Sequence, residues 1–268
     1  MKLDVVYEDE YLIACIKPYG VPSQQDKTYG VDMVTLVKEY LYDKAASKVE
    51  PADMESGNDK VEEPYVAIIN RLDRPVGGII LFAKDELTAA KLTDMVQDNE
   101  IEKYYQAVVS GFMEEPEGVY EDWLYHDKKE NVTRVVDKGT KGAKRAMLKY
   151  EVLDELDTDE GPVSYVLVEL LTGRHHQIRC QMAAHGTPVW GDTKYNPAFS
   201  KGSIDKKGTS DKKEMNRKSG QGKKRGRESE IGLFSTRIQF VHPITGEEIF
   251  LHREPEGKAF EIIDQMDW

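Results

Sequence analysis

Two cysteines in 268 residues, Cys15 and Cys180, are too few for a disulfide framework, and their spacing is not that of a zinc site. Apolar runs are short, and none approaches the ~20 residues a membrane-spanning helix needs. The first residues, MKLDVVYEDEYL, are acidic and carry no signal-peptide pattern. The chain is therefore expected to be neither secreted nor membrane-integral, and to work in the cytoplasm. Basic charge is also in short supply. Lys and Arg total 37 against 49 Asp and Glu, a net charge of -12. Taken alone, that argues against nucleic acid, whose affinity comes mostly from phosphate neutralisation.

The deficit is uneven. Between Phe199 and Glu228 eleven Lys/Arg stand against four acids, a local charge of +7 that leaves -19 on the rest. This stretch is rich in Lys, Gly and Ser and has neither helical nor strand period, so it reads as a disordered basic insertion at about 197–230. Two readings stay open for it: a solvated loop, or an arm that touches RNA. A second polar stretch, 48–63, reads as a loop. Around these, the chain punctuates as one domain covering 1–268. Strands are expected over residues 3–17 (two), 65–69, 78–83, 104–109, 163–171, 234–241 and 248–251, with several exposed antiparallel strands between 119 and 156. Helices are expected over 31–46, from a cap at Asp85 with Leu87, Ala90, Leu92 and Met95 inward, over 174–185, and over 258–265. Gly77-Gly78 reads as a turn ahead of a strand.

Three segments place charged or aromatic residues among apolar ones. In Arg71-Leu72-Asp73-Arg74-Pro75, a carboxylate sits between two arginines in a short loop between apolar strands. Neighbouring positive charge favours the ionised form, which suits a nucleophile or base, although a structural ion pair that pins the loop has the same local pattern. In Lys103-Tyr104-Tyr105-Gln106-Ala107, strand geometry sends the two tyrosines to opposite faces, so one can line a cleft while the other packs on the sheet. In Thr172-Gly173-Arg174-His175-His176-Gln177-Ile178-Arg179, a helix would put His175, Arg179 and Met182 on one face and Ile178 in the core. His176 and His185 lie about half a turn apart with no carboxylate at ligand spacing, so no metal site is expected.

In this order, the three segments resemble the motifs of the RluA-type pseudouridine synthase family. Arg71-Leu72-Asp73-Arg74 followed by Gly-Gly-Ile-Ile-Leu-Phe-Ala-Lys is similar to the family's catalytic loop and next strand. Lys103-Tyr104-Tyr105-Gln106-Ala107 and Thr172 to Arg179 are similar to two further motifs. Val6 to Asp9, Lys17 to Val21, Gly191-Asp192-Thr193-Lys194-Tyr195 and His242 to Glu247 fit other family segments. Asn70 stands where the family usually has His, Val76-Gly77-Gly78 where it has Thr-Ser-Gly, and Gln181 where it often has His. These changes bear on which RNA sequence is preferred.

The resemblance implies an α+β fold: a mixed, largely antiparallel sheet with flanking helices and a central cleft. It implies isomerisation of uridine in ribosomal or transfer RNA, in which the C1′–N1 bond breaks and C5 joins C1′. It implies no cofactor, RNA as the partner, no membrane and a monomer. Asp73 would be the catalytic carboxylate, Arg179 its buried partner and Tyr105 the surface on which the target base stacks. Arg71, Arg74 and Arg174 would be phosphate or structural contacts, both readings being open for each. The alternatives are a non-catalytic RNA-binding or chaperone protein on the same fold, and an unrelated hydrolase or metal enzyme using Asp73 with His175 and His176.

Overall fold

A computed structural model describes residues 1–25, 30–47, 62–159, 161–200 and 230–264. Most of the polar 48–63 stretch and residues 201–229 of the basic insertion lie outside them. Among the described residues, eleven strands form one sheet in the order β1-β2-β4-β10-β5-β9-β8-β6-β7, with β3 on β4 and β11 on β10. In chain order these are β1 Asp4–Glu8, β2 Leu12–Lys17, β3 Ala67–Ile68, β4 Gly77–Ala83, β5 Glu102–Ser110, β6 Glu117–Asp127, β7 Val132–Val136, β8 Lys144–Thr158, β9 Gly161–Leu170, β10 Leu233–Val241 and β11 Glu248–His252. The helices are α1 Met33–Ala46, α2 Glu86–Gln97, α3 Gln177–Ala184 and α4 Lys258–Asp264. This is the expected α+β architecture, and every ladder but one is antiparallel. Among the described residues, no helix is long and apolar enough to cross a membrane.

Both faces of β2 and β4 are buried, which is why LIACIK and GGIILFA read as unbroken apolar runs. Strand alternation splits them between two cores. Ile13, Cys15, Ile80 and Phe82 meet Met33, Leu36, Val37 and Leu41 of α1. Leu12, Ala14, Ile16, Ile79 and Leu81 meet Leu92 of α2 and Phe260 of α4 on the other side. A third cluster joins Tyr105, Ala107, Leu148, Val166 and Val168 to Ile178 and Met182 of α3. Asp32 and Asp85 cap α1 and α2 by accepting from the N–H and hydroxyl of Thr35 and Thr88. The two thiols are free and buried in separate clusters.

Four local expectations need correction. The run 65–69 yields only the two-residue strand β3, because its backbone is taken up by the loop that follows. On α2 the buried positions are Thr88, Ala89 and Leu92, while Leu87 is 62% exposed; the cap hydrogen bonds rotate Thr88 inward. Pro197–Phe199, at the start of the basic stretch, forms a turn of 3-10 helix capped by Asn196. Gly77 and Gly78 belong to β4 itself, paired with Phe234 and Ser235 of β10 in the one parallel ladder. Gly78 has a φ of 115°, and a Cβ there would lie 2.4 Å from the backbone N and O of Ser235. Only glycine lets the two halves of the sheet close at this seam. Replacing it by alanine combines overpacking with backbone strain, so Gly78→Ala should lower the unfolding free energy by about 3 kcal/mol, read as a reduced urea midpoint.

Candidate active site

Residues 69–76 run from β3 to β4 across the open end of the seam, and the main chain is held at nearly every step. The N–H of Ile69 bonds the carbonyl of Leu81 at 2.9 Å. Asn70 accepts from the N–H of Leu81 at 2.7 Å and donates to the carbonyl of Ile79 at 3.3 Å. Ser23 donates to the carbonyl of Leu72 at 2.7 Å and accepts from its N–H at 3.1 Å. The carbonyl of Arg74 accepts from the N–H of Gly20 and from the Nζ of Lys17, at 2.8 and 3.1 Å. Lys17 is fully buried, and its ammonium also donates to the carbonyls of Pro18 and Val21. Three carbonyls thus satisfy a charge that would otherwise be costly to bury.

This loop presents Asp73 to Arg179 of α3. Arg179 Nη1 donates to Asp73 Oδ2 at 2.8 Å, while Nε and Nη2 grip both oxygens of Asp192 at 2.7 and 2.9 Å. Asp192 is fully buried, the Arg179 side chain is 4% exposed and the Asp73 side chain is 24% exposed. One guanidinium between two carboxylates leaves one negative charge, and only Asp73 opens to solvent. Burial works against the Arg179 charge, but the hydrogen bonds and charges of Asp192 and then Asp73 hold its pKa above the ordinary arginine value. Asp192 is itself held by the N–H groups of Lys194 and Tyr195, and the Tyr195 ring lies 5.2 Å from the guanidinium carbon.

The helix expected from Arg174 starts only at Gln177. His176 precedes it with a φ of 50°, and the Gln177 side chain turns back to accept from the Arg174 N–H and the Thr172 hydroxyl. His175 therefore lies outside the helix and does not share a face with Arg179. Instead His126, His175 and His176 form a stack, with successive ring centroids 3.8 and 3.7 Å apart. Burial pulls the His175 pKa down to about 4. Burial and then the Arg179 charge pull His176 lower still, to about 2. The Tyr195 hydroxyl accepts from the N–H of Thr133 and shares a hydrogen bond with His176 Nδ1 at 2.8 Å. The other ring nitrogen of His176, Nε2, lies 3.5 Å from Asp73 Oδ2. Among the described residues, no group of three or more His, Cys, Asp or Glu side chains is placed to hold a metal ion.

A cleft of about 700 Å³ opens above these groups, lined by Asp73, Tyr105, His175, His176, Arg179 and the three remaining candidate arginines. Tyr105 forms part of its floor, 6% exposed, and burial followed by the Asp73 charge raises its phenol pKa well above the ordinary value. Tyr104, on the opposite face, lies under Arg237 at 3.7 Å. Arg71 and Arg174 are exposed at the rim, Arg174 also bonding the carbonyl of Arg145. Arg74 donates from Nε to the carbonyl of Gly20 at 2.9 Å. The structure thus gathers all six candidate residues around one cleft. It adds Lys17 and Asp192, to which the residue reading assigned no role, and His176, which that reading weighed only for a rival hydrolase or metal enzyme. A charged residue ending an apolar strand was the available signal for Lys17.

The model of the RNA pseudouridylate synthase family matches residues 11–184, well over half of the chain. The chain belongs to the RNA pseudouridylate synthase family. Its reaction is the isomerisation of uridine in RNA to pseudouridine. The synthase is 27% identical to tRNA pseudouridine synthase C of Vibrio parahaemolyticus, over all of this chain and 96% of that one. It is 31% identical to the enzyme of the same name from Vibrio cholerae, over 72% of this chain and 74% of that one. An uncharacterized RNA pseudouridine synthase of Aquifex aeolicus is 29% identical, over 95% of this chain and 70% of that one. The fold is similar to human RNA pseudouridylate synthase domain containing 1, with a TM-score of 0.63 and 19% identity over 95% of this chain and 84% of that one.

The histidine stack gives the synthase a testable acid limit. Histidines held neutral by folding bind fewer protons than the unfolded chain does, so their contribution is complete above about pH 6.5 and falls as pH drops towards 4. Urea unfolding at pH 7 and pH 5 should show a smaller acid-induced loss of stability for His175→Gln than for the wild type.

Proposed function

We propose that the chain acts as one catalytic unit on uridine in transfer RNA, with Asp73 as the catalytic carboxylate. The observation that carries this reading is the Asp73–Arg179–Asp192 cluster, whose single uncompensated negative charge faces the cleft. A carboxylate gripped in this way is fixed and aimed, which suits attack on the sugar, attack on the base, or removal of a sugar proton. Transfer RNA is favoured over ribosomal RNA by the names of the relatives that match nearly the whole chain. The cleft is built on one continuous sheet, which supports a single catalytic domain. RNA as substrate fits a cytoplasmic location.

The target uridine has to leave its stack to reach Asp73. Its uracil then rests on Tyr105, and stacking of this kind is worth ~1–3 kcal/mol per base. After the C1′–N1 bond breaks, the uracil turns on that surface, C5 bonds C1′, and the C5 hydrogen leaves as a proton. Arg179 holds Asp73 in place through these steps. Arg71 and Arg174, exposed at the rim, are placed for phosphates, whereas Arg74 serves the loop through its bond to Gly20.

Tritium release from RNA labelled at uridine C5 reports the new bond directly. The wild type should release tritium from the transfer RNA fraction. Asp73→Asn should lower the rate at least ~10³-fold while binding RNA within about threefold of the wild type. Release from ribosomal RNA alone would refute the substrate assignment. Equal release by Asp73→Asn would refute the carboxylate.

A further inference from the structure

Three Lys or Arg side chains are buried among the described residues: Lys17, Arg179 and Lys103. The first is satisfied by carbonyls and the second by two carboxylates. Lys103, 7% exposed, differs. Among the described residues it makes no hydrogen bond or ion pair, and the shift of its ammonium to lower pKa comes from burial with no carboxylate acting on it. It lines the cleft together with the apolar Ile69, Leu81, Val96, Ile101 and Ile238, the last its ladder partner on β10. A lone cation in such a wall costs stability unless an anion arrives to meet it.

We propose that Lys103 is a binding site for a phosphodiester of the substrate RNA, one that flanks the target uridine. The inference rests on the reading of this cleft as the RNA site. Lys103 and Tyr105 project from the same face of β5, two residues or about 6.7 Å apart along the strand. Lys103 is thus within one nucleotide's length of the base platform proposed at Tyr105. RNA carries one kind of anion, the phosphodiester, so that is the group an unpaired ammonium in this wall can take. Desolvation strengthens the pair and fixes which neighbour of the flipped base is clamped, a selection that the exposed rim arginines do not provide.

The test uses the full chain, with Lys103→Met as the apolar variant and Lys103→Arg as the charge-keeping one. Binding of unfractionated transfer RNA is measured across a salt series, and the single-turnover rate at saturating enzyme is measured beside it. Lys103→Met should bind about tenfold more weakly at low salt and lose ~0.7–0.9 from the slope of log K against log salt, the equivalent of one phosphate. Its saturated rate should stay within about threefold of the wild type, and Lys103→Arg should regain the slope. Lys103→Met should also unfold at a higher urea concentration than the wild type, since an unpaired charge has been removed from an apolar wall. An unchanged salt slope, or an unchanged affinity with a collapsed saturated rate, overturns the proposal. A wild type that releases no C5 tritium from any RNA overturns instead the reading of the cleft on which it stands.

Discussion

The structure turns on one guanidinium. Arg179 spends two of its donors on a carboxylate that water never reaches and a third on one that faces the cleft. The fork to Asp192 fixes the plane of the guanidinium, and that plane decides where Nη1 points. Breaking a pair of this kind typically costs about 3–5 kcal/mol, because the remaining charge is left without a partner. The same arrangement favours Asp73 over Asp192 as the proposed reactive carboxylate. Both touch Arg179, but Asp192 has its acceptors filled by Arg179 and by the N–H groups of Lys194 and Tyr195.

Everything around that guanidinium serves to bring three distant segments together. Asp73 arrives on a loop whose carbonyls and N–H groups are tied down by Lys17, Ser23, Gly20 and Asn70. Arg179 arrives on α3, seated by Ile178 and Met182 in the cluster that also holds Tyr105. Asp192 arrives on the turn that follows β-bridge pairing between Val109 and Val189. The parallel seam between β4 and β10 sits beneath all three, and Gly78 allows its close approach to Ser235. Rigid placement suits a reaction in which the base must detach, turn and reattach without being lost.

Much of this was legible in the sequence, and the parts that were not share a cause. The apolar runs of β2 and β4, the cap at Asp85, and the alternation in β5 are local patterns, and local patterns survive folding. The catalytic candidates Asp73, Tyr105 and Arg179 were visible through ordered motifs. The Arg179–Asp192 pairing was not, because it is a contact between side chains whose orientation depends on α3 docking against the sheet. The start of α3 was misplaced because polar residues 174–176 fit a helical count, whereas the Gln177 side chain takes the hydrogen bonds that would have extended the helix. His175 and His176 were weighed only for a rival hydrolase or metal enzyme; in the fold they stack ring on ring, and burial lowers both of their pKa values.

Asp192→Asn tests this account most directly, because it removes only the charge behind Arg179 and keeps an acceptor for Lys194 and Tyr195. The quantity to measure is the single-turnover rate of pseudouridine formation on transfer RNA at saturating enzyme, with folding checked by circular dichroism. A guanidinium no longer clamped by an anion should cost at least ~10²-fold in that rate, with RNA affinity held within about threefold. A folded Asp192→Asn enzyme with the wild-type rate would contradict the claim that Asp192, acting through Arg179, sets the reactive state of Asp73.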